Sequence, residues 1–491
     1  MMNPEILLST PFGFVFELPG GCYQSPVPYD IYINGAFTRQ SRTNVQALFG
    51  LVPDTEYTVE LRGLDLCFSI HTKCLSWLID VRDYGAVGDG IHDDTNAIAA
   101  AIYTAPKGAT IRFACGHYRA SQVLLKSDVD LYFMQGATLT HNTNRETLSY
   151  INGYQWDYFH TDAQINASWE GNPLSCFTSL IYAKDVSNVR IYGQGILDGN
   201  GQASGFWQYP KGKEGGAYRP RNVSLYNCEN ITMAGMTSRN SACWNIHPHS
   251  SKALTFLALN IHSDPNSPNT DGLNPEHCSD VLICGCEFTV GDDCIAIKSG
   301  KRFMATRNAQ PSERITIRNC RMLDGHGAVV IGSEIALGAR SILIEKCLFE
   351  RTDRGLRIKT CRGRGKQSVI DGITMRDCIL RDVRHCFVVN MFYNCDPDGH
   401  SLNISDKAMR GPDDETPSVK NISLIGIRAN GISGSAAFSY GLPESPIDNI
   451  AITDCSFEFS DQRVIECPAM MDNFTPDAPI DFFFENARRC D

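Results

Sequence analysis

Ile315-Thr316-Ile317-Arg318-Asn319-Cys320-Arg321-Met322 is the stretch whose reading decides the fold. Its pattern is apolar-x-apolar-x-x-Cys-x-apolar. The pattern returns as Leu282-Ile283…Cys286-Glu287-Phe288, Leu343-Ile344…Cys347-Leu348-Phe349, Ile373-Thr374-Met375…Cys378-Ile379-Leu380 and Ile450-Ala451-Ile452…Cys455-Ser456-Phe457. Looser copies sit at Val189, Ile231, Leu254 and Ile422. Cys286, Cys320, Cys347 and Cys378 follow one another at intervals of 27 to 34 residues, the length of one solenoid repeat. Each copy holds too few apolar residues to bury itself, so successive coils must stack. The 3.6-residue amphipathic period of a helical solenoid is missing. The fold class is therefore all-β, a single-stranded solenoid of the parallel β-helix type.

Upstream of the repeats the chain divides near residue 78, giving domains over 1–78 and 79–491. The first reads as short alternating strands broken by Gly, Pro and Asn, such as Tyr29-Asp30-Ile31-Tyr32-Ile33 before Asn34-Gly35. Gly50-Leu51-Val52-Pro53-Asp54-Thr55-Glu56-Tyr57-Thr58-Val59 resembles the fibronectin type III pattern, in which a Tyr early in a late strand closes a sandwich corner. A small β-sandwich with a packing or carbohydrate-orienting role is the expectation. In the second domain, Asp93-Asp94-Thr95 precedes a helical stretch around Asn96 to Tyr103. Its carboxylates suit helix capping better than catalysis. The helix itself would close the open end of the solenoid.

Stacking turns distance along the chain into proximity, about 4.8 Å per coil. Asp292 and His326 each lie six residues after their anchor cysteine, so they share a position on neighbouring coils. Asn269-Thr270-Asp271-Gly272 precedes them on a longer turn. In Leu356-Arg357-Ile358-Lys359 strict alternation turns Leu356 and Ile358 inward and Arg357 and Lys359 outward. Three acids, one imidazole and two cations thus converge from four coils.

Asn269-Thr270-Asp271-Gly272, Gly291-Asp292-Asp293, Gly325-His326-Gly327 and Arg357-Ile358-Lys359 resemble, in order and spacing, the four motifs of the polygalacturonase family of glycoside hydrolases (family 28). Val81 to Asp94 likewise resembles the opening of the pectin-degrading β-helix superfamily. The resemblance, over roughly residues 80 to 490, implies a right-handed β-helix that hydrolyses α-1,4-galacturonosyl bonds with inversion. Inversion takes one protonated carboxyl for the leaving oxygen and an ionised carboxylate for the attacking water. By resemblance Asp292 is the general acid, Asp271 and Asp293 hold the water, and His326 tunes the acid. The residues alone leave open which of Asp292 and Asp293 donates, and the strand must bend there for both to face one side.

Arg357 and Lys359 suit a uronate carboxylate, Arg as a bidentate partner. Asn269, His247 (with Trp244) and Tyr393 are further candidates for substrate contact, and Glu334 in Gly332-Ser333-Glu334 looks like a feature of exo-acting relatives. Long inserts at 141 to about 178 and about 205 to 220 precede the active coils and could wall off the cleft. Together with the runs from Gly325 to Glu334 and from Arg357 to Thr360, they favour release of galacturonate from a chain end. Same-fold hydrolases of rhamnogalacturonan or xylogalacturonan, and a calcium-dependent pectate lyase with Arg or Lys as base, are the alternatives.

A net charge of −11 argues against nucleic acid and would repel an acidic polysaccharide. The expectation is a local basic cleft in which Arg354, Arg362, Arg364, Lys298 and Arg302 reinforce Arg357 and Lys359, while Lys366 and Lys301 read as a solvated charge run. No apolar run is long enough to cross a membrane. The 20 cysteines recur mostly at one repeat position and read as reduced core residues. Neither they nor the scattered His have zinc spacing, so neither metal nor cofactor is expected. The start MMNPEILLSTPFGFVF lacks a basic n-region. A cytoplasmic location follows, with secretion after signal removal as the alternative. The sequons at Asn222, Asn230 and Asn421 read as ladder residues at strand starts.

Overall fold

The computed structural model describes residues 3–155, 164–208, 217–305, 310–396 and 399–490. Among these residues a right-handed parallel β-helix with three faces runs from Trp77–Asp80 to Ala487–Cys490. One face stacks thirteen strands and the next twelve, among the described residues. The repeated phrase bridges these two faces. Its first apolar residue forms one column, Val281, Ile315, Ile342, Ile373, Ile422 and Ile450, paired coil to coil.

Between the two faces the chain turns through one residue in the left-handed region, immediately before each anchor cysteine. Gly285, Asn319, Lys346, Asp377 and Asp454 take φ of 69, 51, 54, 53 and 52° there. The next side chain points into the core, where a buried apolar thiol packs well; Met236, Leu259 and Ile427 take the same position after Gly235, Ala258 and Gly426. Cys286, Cys320, Cys347 and Cys378 are fully buried, and all 20 cysteines are free thiols, as the repeat position implied. Side-chain amides run down the outside of the coils. Asn230 Nδ2 donates to Asn188 Oδ1 at 2.8 Å and Asn421 Nδ2 to Asp371 Oδ1 at 2.7 Å. Asn222 instead donates inward, to Ser238 Oγ at 3.0 Å.

The third face carries the site. It passes from Val223–Tyr226 and Ile246–His249 to Asp293–Ile297, Gly327–Ile331, Arg354–Lys359 and His385–Asn390. Between the second and third of these lies an irregular coil. Pro275 has no N–H for the ladder. Register is nevertheless kept by the bridges Ile246–Leu273–Ile295 and His249–Glu276–Lys298.

A helix over Thr95–Thr104 covers the first coil and buries Ile98, Ala101 and Ile102. The two candidate caps divide the work. Asp93 accepts from the Thr95 amide at 2.9 Å, while Asp94 turns back to the amides of Val87 and Gly88 at 2.7 and 3.2 Å.

The first segment forms two antiparallel sheets. Glu5–Thr10, Gly13–Glu17 and Val45–Phe49 make one; Ala36–Thr43, Gln24–Ile33, Glu56–Arg62 and Leu66–His71 make the other. Phe14, Phe16, Tyr29, Ile31, Val59 and Leu61 fill the space between. The Tyr57 hydroxyl accepts from the Val52 amide at 2.9 Å. The sandwich rests on the outside of the thirteen-stranded face. Phe12 stacks on Tyr132 with ring centroids 4.3 Å apart. Val15, Val45 and Phe49 cover Tyr192, Ala234, Leu257 and Cys284. At the edge, Glu17 lies 2.7 Å from Arg318 and accepts from Asn319 Nδ2 at 2.6 Å. None of the sandwich's described residues lines the cleft on the third face.

Candidate active site

The cleft on the third face is lined by Asp271, Asp292, Asp293, His326, Glu334, Arg357, Lys359, Tyr393 and Asn269. Pairing of Asp293 with Gly327 sets Asp292 beside His326 on the next coil, as the equal offsets required. The His326 amide donates to the Asp292 carbonyl at 3.1 Å, and its ring Nδ1 lies 3.5 Å from Asp292 Oδ1. Asp292 sits in the turn just before the strand Asp293–Ile297. Cys294 and Ile295 both point into the core, so alternation is broken and both aspartates reach the cleft. Asp271 is fixed by its backbone: the Asn245 amide donates to its carbonyl at 2.8 Å and the Gly272 amide to that of Asp293 at 3.0 Å. Gly327 has to lack a side chain. A Cβ there would stand 3.1 Å from Asp293 Oδ1 and 2.4 Å from Val330 Cγ2.

The three aspartates occupy different environments. Asp292 is the most open, its side chain 25% exposed against 5% for Asp271 and 4% for Asp293. Asp293 is buried, which alone would raise its proton affinity. Lys359 Nζ at 2.9 Å and Arg357 Nη1 at 3.9 Å outweigh that and hold the carboxyl below its usual range. Asp271 moves the other way. Burial and the neighbouring Asp292 carboxylate push it well up, against Lys298 at 4.0 Å. His326 is raised by its contact with Asp292 despite partial burial. Glu334, also buried, is brought far down by Lys298 Nζ at 2.9 Å and by Lys301.

The expected basic cleft is corrected by this pairing. Lys298 is spent on Glu334 and Asp271, and Lys301 and Arg364 on Asp396. Arg362 pairs with Glu444 and Arg302 with Glu415. Burial leaves no other course for most of these charges. Among the described cleft residues, Arg357 Nη2 is buried without a hydrogen-bond partner.

His247, read as a sugar contact, is likewise corrected. It is fully buried, its Nε2 2.8 Å from Glu276 Oε2, and its ring packs under Trp244 with centroids 4.9 Å apart. Trp244 itself reaches the cleft and stacks near Lys298 Nζ, 4.6 Å from the ring centroid. Tyr393 lines the wall with Lys359 Nζ 5.5 Å from its ring. Asn269 accepts from Arg219 Nη2 at 2.6 Å.

Glu170, Asp396, Cys395 and Met470 also line the cleft and escaped the sequence reading. They sit in loops at no fixed offset from a repeat anchor, so no periodic signal marks them. Residues 156–163 and 209–216 of the two inserts lie outside the described residues. The described part of the first insert packs on one wall. Lys301 donates its amide to the Gly171 carbonyl at 3.0 Å, and a Cβ on Gly171 would meet Glu334 Cγ at 2.8 Å. Among the described residues one group has metal-ligand geometry, His249, Glu276 and His277, outside the cleft. The one-coil interval between its histidines is not a zinc spacing in sequence, which is why it was not anticipated.

Residues 159–427 match the family model for glycosyl hydrolases family 28, and residues 78–218 match that for rhamnogalacturonase A/epimerase, pectate lyase-like proteins. A probable polygalacturonase of Vitis vinifera is 26% identical over 397 residues, 79% of this chain and 76% of the relative. An exo-poly-alpha-D-galacturonosidase of Dickeya chrysanthemi is 28% identical over 360 residues, 66% of this chain and 58% of that protein. Among solved structures, the Yersinia enterocolitica family 28 exopolygalacturonase superposes with a TM-score of 0.64 at 18% identity, over 99% of this chain and 100% of that one. The exopolygalacturonase of Thermotoga maritima gives 0.62 at 23%, over 79% and 92%. These superpositions show the shared fold.

Proposed function

The chain belongs to glycosyl hydrolases family 28 and is a pectin-degrading glycoside hydrolase; from that premise we propose that it releases galacturonate from chain ends of polygalacturonate or oligogalacturonates, with inversion. The observation that carries the mechanism is the contrast between Asp292 and Asp293. Asp293, held ionised by Lys359 and Arg357, is suited to activate water and unsuited to donate a proton. Between the other two, we assign the donor's role to Asp292, the more open, the one beside His326 and the acid that the family motifs imply. Asp271, held on the coil before, completes the grip on the water. The free Nη2 of Arg357 is the group for a uronate carboxylate, and a charge-assisted bond there satisfies a buried donor.

Support for exo-action comes from the wall that the first insert builds against Glu334 and Lys301. A closed end admits a chain terminus and stops a through-running polymer. A lyase would need a basic side chain free to take a proton, whereas Lys359 Nζ is bound to Asp293 and Lys298 Nζ to Glu334, each at 2.9 Å. The 20 free thiols support a reducing, cytoplasmic setting. The test is product analysis on polygalacturonate in chelator, by sizing and by NMR of the first anomer formed. Galacturonate released as the inverted anomer, and lost in Asp292→Asn, is the expected result. Mixed oligomers would overturn exo-action, and full activity in the variant would overturn the assignment of the acid.

A further inference from the structure

Beside the cleft, on the coils that carry Trp244 and Asp271, three buried side chains turn unpaired atoms toward one another. His249 Nε2, His277 Nε2 and Glu276 Oε1 each lack a hydrogen-bond partner, and all three residues are at most 1% exposed. Their ligand atoms lie within 4.8 Å of one another. Buried polar atoms are normally satisfied, so three orphans facing one point require an explanation.

The opposite sides of the same groups are all engaged. His277 Nδ1 lies 2.8 Å from the Gln310 carbonyl. A carbonyl can only accept, so the ring proton sits on Nδ1 and Nε2 presents a bare lone pair. His249 Nδ1 contacts Ser250 Oγ at 3.0 Å. Glu276 Oε2 meets His247 Nε2 at 2.8 Å, which leaves Oε1 facing the cluster. Outer hydrogen bonds that fix a ring's tautomer and aim its other nitrogen inward are the support that metal-bound histidines have. Two facing acceptors, the His277 lone pair and a carboxylate oxygen, repel each other unless a cation or a donor stands between them.

We propose that His249, Glu276 and His277 form a buried site for a divalent transition metal, with zinc the cation best suited to two imidazoles and one carboxylate. Tetrahedral zinc would draw the ligand atoms to separations of about 3.3 Å. The required movement is on the scale of small side-chain rotations. Space exists beside His277, because Gly300 has no side chain; a Cβ there would stand 2.8 Å from His277 Nε2. The Tyr226 ring stacks on His249 with centroids 5.0 Å apart and shields the other side. None of the three ligands lines the cleft. Glu276, however, bridges to Lys298, the lysine that holds Glu334 and Asp271. A metal here would lock the irregular coil at Pro275 to its neighbours and so steady the floor on which the aspartates stand.

Because the ligands are buried, the full chain is tested twice: stripped by chelator and given zinc while folded, and refolded from denaturant with zinc present. After desalting, about one zinc per chain in either preparation is expected, falling at least tenfold in Glu276→Gln and His277→Gln. X-ray absorption should give a nitrogen and oxygen shell near 2.0 Å with imidazole scattering. Cobalt(II) should give tetrahedral d–d bands without thiolate charge transfer. Less than about a tenth of a zinc per chain in both preparations would overturn the site and leave a buried water as the partner of these atoms. A sulfur shell would overturn it too, by putting the metal on free cysteines. So would undiminished binding by the variants. If neither variant folds, the absorption and cobalt spectra of the unmodified chain decide.

Discussion

At the scale of single residues, the cleft separates three like carboxylates by what stands beside each. Asp293 has two cations, Asp271 has burial and a neighbouring acid, and Asp292 has solvent and an imidazole. Asp271 makes the cost of this measurable. Its folded-state proton affinity is raised above the ordinary carboxyl value of about 3.9. Its contribution to stability is therefore present below about pH 4 and is lost as pH rises through the raised value. Above that raised value the carboxylate is ionised where burial opposes it. Asp271→Asn should lower kcat by about 10²–10⁴-fold yet raise the melting temperature at pH 8, and the gain should shrink toward pH 4. Calorimetry at the two pH values checks it. An equal or larger gain at pH 4 would show that burial of this charge is not the cause.

At the scale of elements, the repeated phrase is a corner as much as a pair of strands. The position before each anchor cysteine demands a left-handed backbone, which Gly285 adopts freely and Asn319, Asp377 and Asp454 tolerate. Lys346 occupies the same corner with φ of 54° and none of that tolerance. Lys346→Gly should stabilise the protein by about 1 kcal/mol, read from urea denaturation, with kcat unchanged. A loss of stability would mean that the lysine side chain contributes more than its backbone costs. The same corner buries the cysteines. The residue after the turn points inward, and Cys286, Cys320, Cys347 and Cys378 stack there coil on coil, with Met236, Leu259 and Ile427 at the same position on other coils.

At the scale of the whole molecule, the sandwich and the cleft lie on different faces and should be separable. Phe12→Asp puts a charge against Tyr132 in the docking surface. It should cost about 2–4 kcal/mol of stability and leave kcat and KM at 25 °C unaltered, as denaturation and steady-state kinetics can show. A changed KM would give the sandwich a part in substrate binding. The long-range field is the second whole-molecule property. With a net charge of −11 and most cleft cations already paired, a polyanion approaches against repulsion. kcat/KM on long polygalacturonate should rise severalfold between about 10 and 100 mM salt, as the screening length falls from roughly 30 to 10 Å. A fall with salt would mean that steering is attractive after all.

The sequence by itself determined the solenoid and the gathering of the acids, because both follow from a repeat. Equal offsets from Cys286 and Cys320 set Asp292 against His326, and the alternation in Leu356-Arg357-Ile358-Lys359 fixed which side chains face out. Such facts are one-dimensional, since a parallel stack converts position in the repeat directly into position in space. Only the tertiary structure decided what each group meets there. Partners such as Glu334 for Lys298, Asp396 for Lys301 and Glu276 for His247 come from loops and neighbouring coils at no fixed interval. Pairing decides whether a buried charge is available or spent, and burial decides whether a histidine touches sugar or lies beneath it. Those depend on distances of a few ångströms between segments whose separation in the chain carries no period, so no pattern in the sequence records them.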